Sequence, residues 1–244
     1  MNAGSAPPVP MQVQDMATRF WADGYLVLGE QFPDATMDRL QQRIEEHFGN
    51  DPAFAHTSEF LTAAATEVIP WFPQAEGVAE FDELASTGPM QALASAILGE
   101  GWYSQYCMIM YSKPGTAGQA WHQDCPPEEP MQFNLNRLVY AMDIDERNGG
   151  ALELVPGSHR FGELPPPSVE DGFAGRITLT PRKGTLIFLH GHTWHSVRPV
   201  GRDGRVSINY RAAPRQAPAD ITDVCVYRNM RYRFSTSSIV QTRS

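Results

Sequence analysis

The chain has 244 residues, 42% of them hydrophobic and 19% charged, with a formal net charge of −9 and a pI near 5.2. That length favours one large domain with a substantial core. It contains no apolar run of the roughly 20 residues that span a bilayer, and its acidity argues against nucleic acid as a partner, because phosphate binding needs a basic surface. Cys107, Cys125 and Cys225 match no disulfide or zinc spacing and read as reduced thiols.

Residues 1–14 are small and Pro-rich, without the charged start and apolar stretch of a signal peptide, and are expected to form a disordered lead to a single domain over 15–244. A cytoplasmic location is expected with them. From Met11 to Gly49 the pattern predicts a short helix carrying Phe20 and Trp21, a strand bounded by Gly24 and Gly29, and an amphipathic helix starting near Asp34. That helix has Met37, Leu40, Ile44 and Phe48 on one face. Residues 50–90 hold Phe54, Phe60, Val68, Ile69, Trp71 and Phe72 with no sustained period, the pattern of a lid over a pocket or of a passive packed loop. A helix over 89–98 begins at Pro89 and closes at Gly99.

Beyond residue 100, β signals dominate: Trp102–Tyr111, Leu135–Ile144, Ala151–Val155, Ile177–Leu179, Thr185–Leu189 and Val206–Tyr210 are short apolar or alternating runs divided by Gly and Pro. They predict a mostly β protein with flanking helices, its antiparallel sandwich or jelly-roll core lying at about 100–215.

Two segments carry chemistry. His122 and Asp124 form an H-x-D pair, and residues i and i+2 of a strand face the same way, so an imidazole and a carboxylate can meet one ion. A histidine from elsewhere would complete a two-His, one-carboxylate triad that leaves three positions of an octahedral Fe(II) open. His190, His192 and His195 supply three candidates immediately after an apolar strand. Downstream, Arg205 and Ser207 share a strand face that suits a carboxylate, since a guanidinium fork pairs it bidentately.

In this order the motifs resemble the phytanoyl-CoA dioxygenase-like branch of the Fe(II)- and 2-oxoglutarate-dependent dioxygenases. Further likenesses are Phe20-Trp-Ala-Asp-Gly24-Tyr-Leu-Val-Leu, Lys113-Pro-Gly, Asn148-Gly-Gly-Ala-Leu-Glu-Leu-Val-Pro156-Gly-Ser-His159, and Gly184-Thr-Leu-Ile-Phe-Leu-His190 with Trp194-His195. The likeness runs over about residues 15–212. It implies a double-stranded β-helix, cupin-like core, His122, Asp124 and His195 as catalytic metal ligands, and Fe(II), 2-oxoglutarate and O2 as cofactor and cosubstrates. Arg205 would bind the distal carboxylate of 2-oxoglutarate with Ser207 and Tyr111. The family's Pro-Asn turn is replaced by Pro199-Val200, which leaves Arg202 and Arg211 as alternatives to Arg205. His159 is expected to fix a turn.

The implied reaction is hydroxylation of a C–H bond in a small molecule, with a pocket drawn from residues 50–75 and 125–137 that includes Trp71, Phe72, Met131, Phe133 and Arg137. No nucleic-acid or membrane partner is expected. Two rivals stand beside this reading. One is a zinc hydrolase using His190, His192 and His195, although Trp194 occupies the place of the aspartate such a site needs. The other is a jelly-roll binding protein without chemistry.

Overall fold

The computed structural model describes residues 11–49, 66–165, 172–221, 224–227, 230–233 and 241–242. Two antiparallel sheets face each other as a double-stranded β-helix, with helices laid over the outside of one of them. In chain order the elements are α1 (Met11–Asp23), β1 (Tyr25–Leu28), α2 (Asp34–Phe48), β2 (Ile69–Trp71), α3 (Asp82–Ala85), α4 (Gly88–Leu98), β3 (Tyr103–Ser112), β4 (Gln119–Gln123) and β5 (Leu135–Val139). Then follow β6 (Leu152–Leu154), β7 (Ile177–Leu179), β8 (Leu186–His190), β9 (His195–Val197), β10 (Arg205–Ala213), β11 (Val224–Tyr227), β12 (Met230–Arg233) and β13 (Gln241–Thr242).

The larger core forms where helical and strand periodicities meet. α2 buries Met37, Leu40, Ile44 and Phe48, and α4 buries Met90, Leu93, Ala94, Ile97 and Leu98. These side chains pack on the outer face of the six-stranded sheet β1-β8-β5-β10-β3-β2, against Leu135, Val139, Phe188, Val206 and Ile208. α1 contributes Ala17 and Phe20 and starts at Met11, ahead of the residue 15 at which the domain was expected to begin. It stops at Gly24, whose φ of +78° suits glycine and whose Cβ, were there one, would strike the His159 ring and Thr193. The second sheet is β13-β12-β11-β4-β9-β6-β7. Between the sheets a smaller apolar cluster of Leu138, Tyr140, Ile144, Leu152, Leu154, Ile187 and Leu189 closes one end of the interior.

The helices and strands expected beyond Met11 are present, with two differences. The strand expected over Leu135–Ile144 ends at Val139, because β8, its partner, begins only at Leu186, after the turn at Gly184. The irregular stretch before residue 90 contains an edge strand, β2, paired to β3 with Trp71 opposite Ile109, and then α3. Within residues 66–90, Thr66, Val68, Ile69, Trp71, Phe81, Leu84 and Met90 are buried. The rest of the expected lid, from 50 to 65, lies outside the described residues.

The strand that positions the site is β10. All nine of its residues are buried, and they alternate between two different interiors. Val206, Ile208, Tyr210 and Ala212 face the helix-side core, while Arg205, Ser207, Asn209 and Arg211 face the space between the sheets. A polar row of this kind inside a jelly roll is costly unless each group is hydrogen-bonded. Its partners make up the site.

Candidate active site

β4 and β9 pair antiparallel with His122 directly opposite His195, which brings the two imidazole centroids to 4.0 Å. Asp124 follows β4, held by its backbone N–H donating to the Gly191 carbonyl at 2.7 Å. The His122 Nε2 lies 3.8 Å from Asp124 Oδ1 and the His195 Nε2 3.6 Å from Oδ2. All three side chains are buried, and one ligand atom from each lies within 4.8 Å of the others.

The backbone sets both rings for metal binding. His122 Nδ1 is 2.8 Å from the Ala120 carbonyl and His195 Nδ1 is 2.8 Å from the Thr193 carbonyl. A carbonyl only accepts, so each Nδ1 carries the proton and each Nε2 turns its lone pair toward Asp124. Burial, followed by the facing His195, pushes His122 down to a pKa of about 3, which keeps it a neutral ligand at ordinary pH. For Asp124 burial acts upward, yet Arg211, the two histidines and Asn136 together outweigh it and hold the carboxyl below its usual range. Arg211 Nη2 donates to Oδ1 at 2.8 Å and Asn136 Nδ2 donates to Oδ2 at 2.7 Å. The carboxylate is therefore ionised and locked in rotation. Two imidazoles that present Nε2 and an oriented carboxylate on one side of a pocket suit a divalent ion with open positions.

Beyond the triad the pocket runs along the inner face of β10 to Arg205, enclosing about 730 Å³ including its mouth. Arg205 is buried, with Nε donating to the Gly150 carbonyl at 2.8 Å, Nη1 to Ser207 Oγ at 3.1 Å and Nη2 to Tyr140 Oη at 3.3 Å. No carboxylate among the described residues pairs with it. Gly150 is required here, since a Cβ at this position would collide with the Arg205 side chain. The alternatives differ in kind: Arg202 is exposed and ion-paired to Asp203, and Arg211 is engaged with Asp124.

Several expected site residues lie elsewhere, and for Tyr111, Arg137 and Trp71 strand parity is the reason. Tyr111 stacks on Phe48 on the helix side of β3, whereas Tyr106, Met108 and Met110 line the pocket. Arg137 also points to the helix side, between Asn136 and Leu138, which face the pocket. It donates to the Tyr210 carbonyl and Ser104 Oγ and lies over the Trp102 ring. Trp71 is a core residue stacked on His47, Phe72 packs edge-on behind Tyr106, Phe133 stacks on His190, and Met131 is exposed to solvent. The pocket walls come instead from Thr66, Val68, Pro70, Leu138, Leu152 and Val197 among others.

Among the described residues, His190 and His192 belong to neither a zinc cluster nor the triad. His190 packs among Phe20, Trp21 and Phe133, and His192 Nε2 is hydrogen-bonded to the Gln132 carbonyl. His159 fixes its turn through the Trp21 carbonyl, while Ser158 Oγ accepts the Trp194 N–H. Burial lowers His192 to a pKa of about 4 and takes His190 well below 6.5. The unfolded chain then binds protons that the folded chain does not, so stability must fall as pH drops from 6.5 toward 4, by up to about 1.4 kcal/mol per pH unit for each such histidine. Urea midpoints of the metal-free protein should follow that slope. A flat profile over this window contradicts the burial of neutral imidazoles.

Among the polar pocket positions that escaped the sequence reading are Asn136, Asn209, and Arg211 in its role as clamp of Asp124. The alternation Arg205-x-Ser207-x-Asn209-x-Arg211 was a usable signal for two of them. Asn136 offered none, because its partner lies on a distant segment.

A double-stranded β-helix whose interior presents two histidines and an aspartate, with a buried arginine down the same pocket, is the arrangement that non-heme Fe(II)- and 2-oxoglutarate-dependent chemistry requires. The chain belongs to the phytanoyl-CoA dioxygenase (PhyH) family, whose model matches residues 20–203 and so includes His122, Asp124 and His195. Iron, 2-oxoglutarate and O2 are the cofactor and cosubstrates of that family. The chain is 28% identical over 148 residues to the methylphosphonate hydroxylase of Gimesia maris, a match covering 58% of this chain and 55% of that protein, so it spans about half the length of this curated relative. Among solved structures it is similar to the α-ketoglutarate-dependent epimerase SnoN of nogalamycin biosynthesis, with a TM-score of 0.66 at 19% identity, covering 90% of this chain and 86% of that one. It is also similar to HygX of Streptomyces hygroscopicus bound to nickel and 2-oxoglutarate, with a TM-score of 0.65 at 14% identity, covering 82% and 86%.

Proposed function

We propose that this oxygenase hydroxylates an unactivated C–H bond of a small metabolite or natural-product intermediate, with succinate and CO2 as coproducts. The observation that carries the reading is the single pocket shared by His122, Asp124, His195 and Arg205 and walled largely by apolar side chains. His122, Asp124 and His195 would hold the iron, and Arg205 with Ser207 would hold the distal carboxylate of 2-oxoglutarate. Iron with 2-oxoglutarate and O2 supplies the oxidant that attacks C–H bonds. The protein's own part is orientation and exclusion of water. Arg211 and Asn136 fix the carboxylate, the carbonyls of Ala120 and Thr193 fix the rings, and Met108, Met110, Val68 and Leu138 keep the chamber apolar. A small-molecule substrate is supported by the HygX structure that contains hygromycin B and the SnoN structure that contains nogalamycin RO.

Anaerobic titration with Fe(II) and 2-oxoglutarate, followed by a metabolite screen read as succinate release, tests the reaction class. Asp124 bears on the outcome, because a carboxylate in that coordination position leaves no room there for a halide. Products formed under oxygen-18 in chloride-rich buffer are expected to gain oxygen or lose hydrogen and to contain no chlorine, and Asp124→Ala should bind iron poorly and turn over nothing. A chlorinated product, or full activity in Asp124→Ala, overturns the assignment of Asp124 as a ligand.

A further inference from the structure

Asn209 lies on the pocket face of β10, two residues from Arg211 and two from Ser207, and is 2% exposed. Its amide orientation is fixed by its neighbours. The Asn136 side chain donates from Nδ2 to the Asp124 carboxylate, which can only accept, and its Oδ1 receives Arg211 Nε at 2.9 Å, which can only donate. Asn136 is thereby set in one sense. Its Oδ1 also receives Asn209 Nδ2 at 2.8 Å, so Asn209 must present its nitrogen to Asn136. The Asn209 Oδ1 is left as a buried acceptor with no partner among the described residues, on a side chain that lines the same chamber as the triad.

A buried acceptor without a donor is uncommon in folded proteins and calls for an explanation. 2-Oxoglutarate does not provide one, since both of its carboxylates are ionised at neutral pH and offer only acceptors. The far end of the same strand face, Arg205 with Ser207, has the complementary character and is rich in donors. Met108 and Leu138, which lie opposite Asn209 on the two flanking strands, have side chains without a donor.

We propose that Asn209 is a specificity-determining residue that accepts a hydrogen bond from an O–H or N–H group of the substrate, so that the substrate class is a largely apolar small molecule bearing an alcohol or amine close to the oxidised carbon. This inference rests on the pocket being the substrate chamber, yet its first test requires no metal and no turnover. Pentan-1-ol and butyl methyl ether are isomers of nearly equal size that differ in having and lacking a donor. Their dissociation constants for the full-length, metal-free chain are measured by saturation-transfer NMR. The alcohol should bind about fivefold more tightly, the worth of one net hydrogen bond, and Asn209→Leu should make the pair equal. If that variant does not fold, Asn209→Ala takes its place, because His122, His195 and Asp124 are acceptors in the metal-free pocket too and only a change at Asn209 assigns the preference to its Oδ1. Equal binding of the isomers, binding by neither, or an unchanged preference in Asn209→Leu overturns the proposal. Repeating the titration with Co(II) and 2-oxoglutarate bound separates the two donors the acceptor can meet: the preference persists if Oδ1 reads substrate, and its loss, showing that metal-bound water takes Oδ1, also overturns the proposal. Loss of succinate release from the loaded enzyme with the isomer preference intact counts against the reaction class alone.

Discussion

Replacing His122 or His195 with alanine is expected to weaken binding of Fe(II), or of Co(II) as an air-stable substitute, by more than about 100-fold, because a ligand should matter at least as much as the outer-shell partners that cost 10–100-fold. Calorimetric titration of the folded variants measures this directly. The melting temperatures should change little, because each ring sits at the edge of the pocket and its main tie is one backbone carbonyl. His190→Ala and His192→Ala should show the reverse. Their rings fill the packing around Phe133, so loss of either is expected to cost about 2 kcal/mol or more of stability while metal affinity stays near wild type. If His192→Ala loses the metal and His195→Ala keeps it, the distal ligand has been misassigned.

Arg205→Ala is expected to raise the concentration of 2-oxoglutarate required by about 30-fold or more, the cost of roughly 2–5 kcal/mol for removing one partner of a buried charge-assisted pair. Metal affinity should be unchanged. Arg202→Ala should do nothing, since that side chain is exposed and its ion pair with Asp203 is of the weak surface kind. Arg211→Ala should act first on the metal, because its guanidinium holds Asp124 Oδ1, and the cost should fall in the range of about 10–100-fold for an outer-shell partner of a ligand. Fluorescence titration of 2-oxoglutarate into each Co(II)-loaded variant separates the three. A 2-oxoglutarate affinity untouched by Arg205→Ala and lost in Arg211→Ala at constant metal affinity would move the cosubstrate carboxylate to Arg211.

What the sequence determined by itself was whatever depends on residues a few positions apart. The face shared by His122 and Asp124, the row Arg205-x-Ser207-x-Asn209-x-Arg211, the glycine at the end of α1 and the helical spacing of Met37, Leu40, Ile44 and Phe48 all follow from backbone periods of 2.0 and 3.6 residues. Motif order then pointed to the family and to the distal histidine. Only the tertiary structure decided which neighbour each of those faces meets. His195 joins the triad because the β4–β9 register sets it opposite His122, while His190 ends β8 with its ring turned to the helix side. Arg137 was placed in the pocket by its nearness in sequence to site residues and Tyr111 by the family resemblance, but one position along a strand reverses the face, and both ended in the helix-side core. The clamp of Asp124 joins β5 and β10 to the end of β4, three segments whose pairing is fixed by burial of the whole sheet and not by any local pattern.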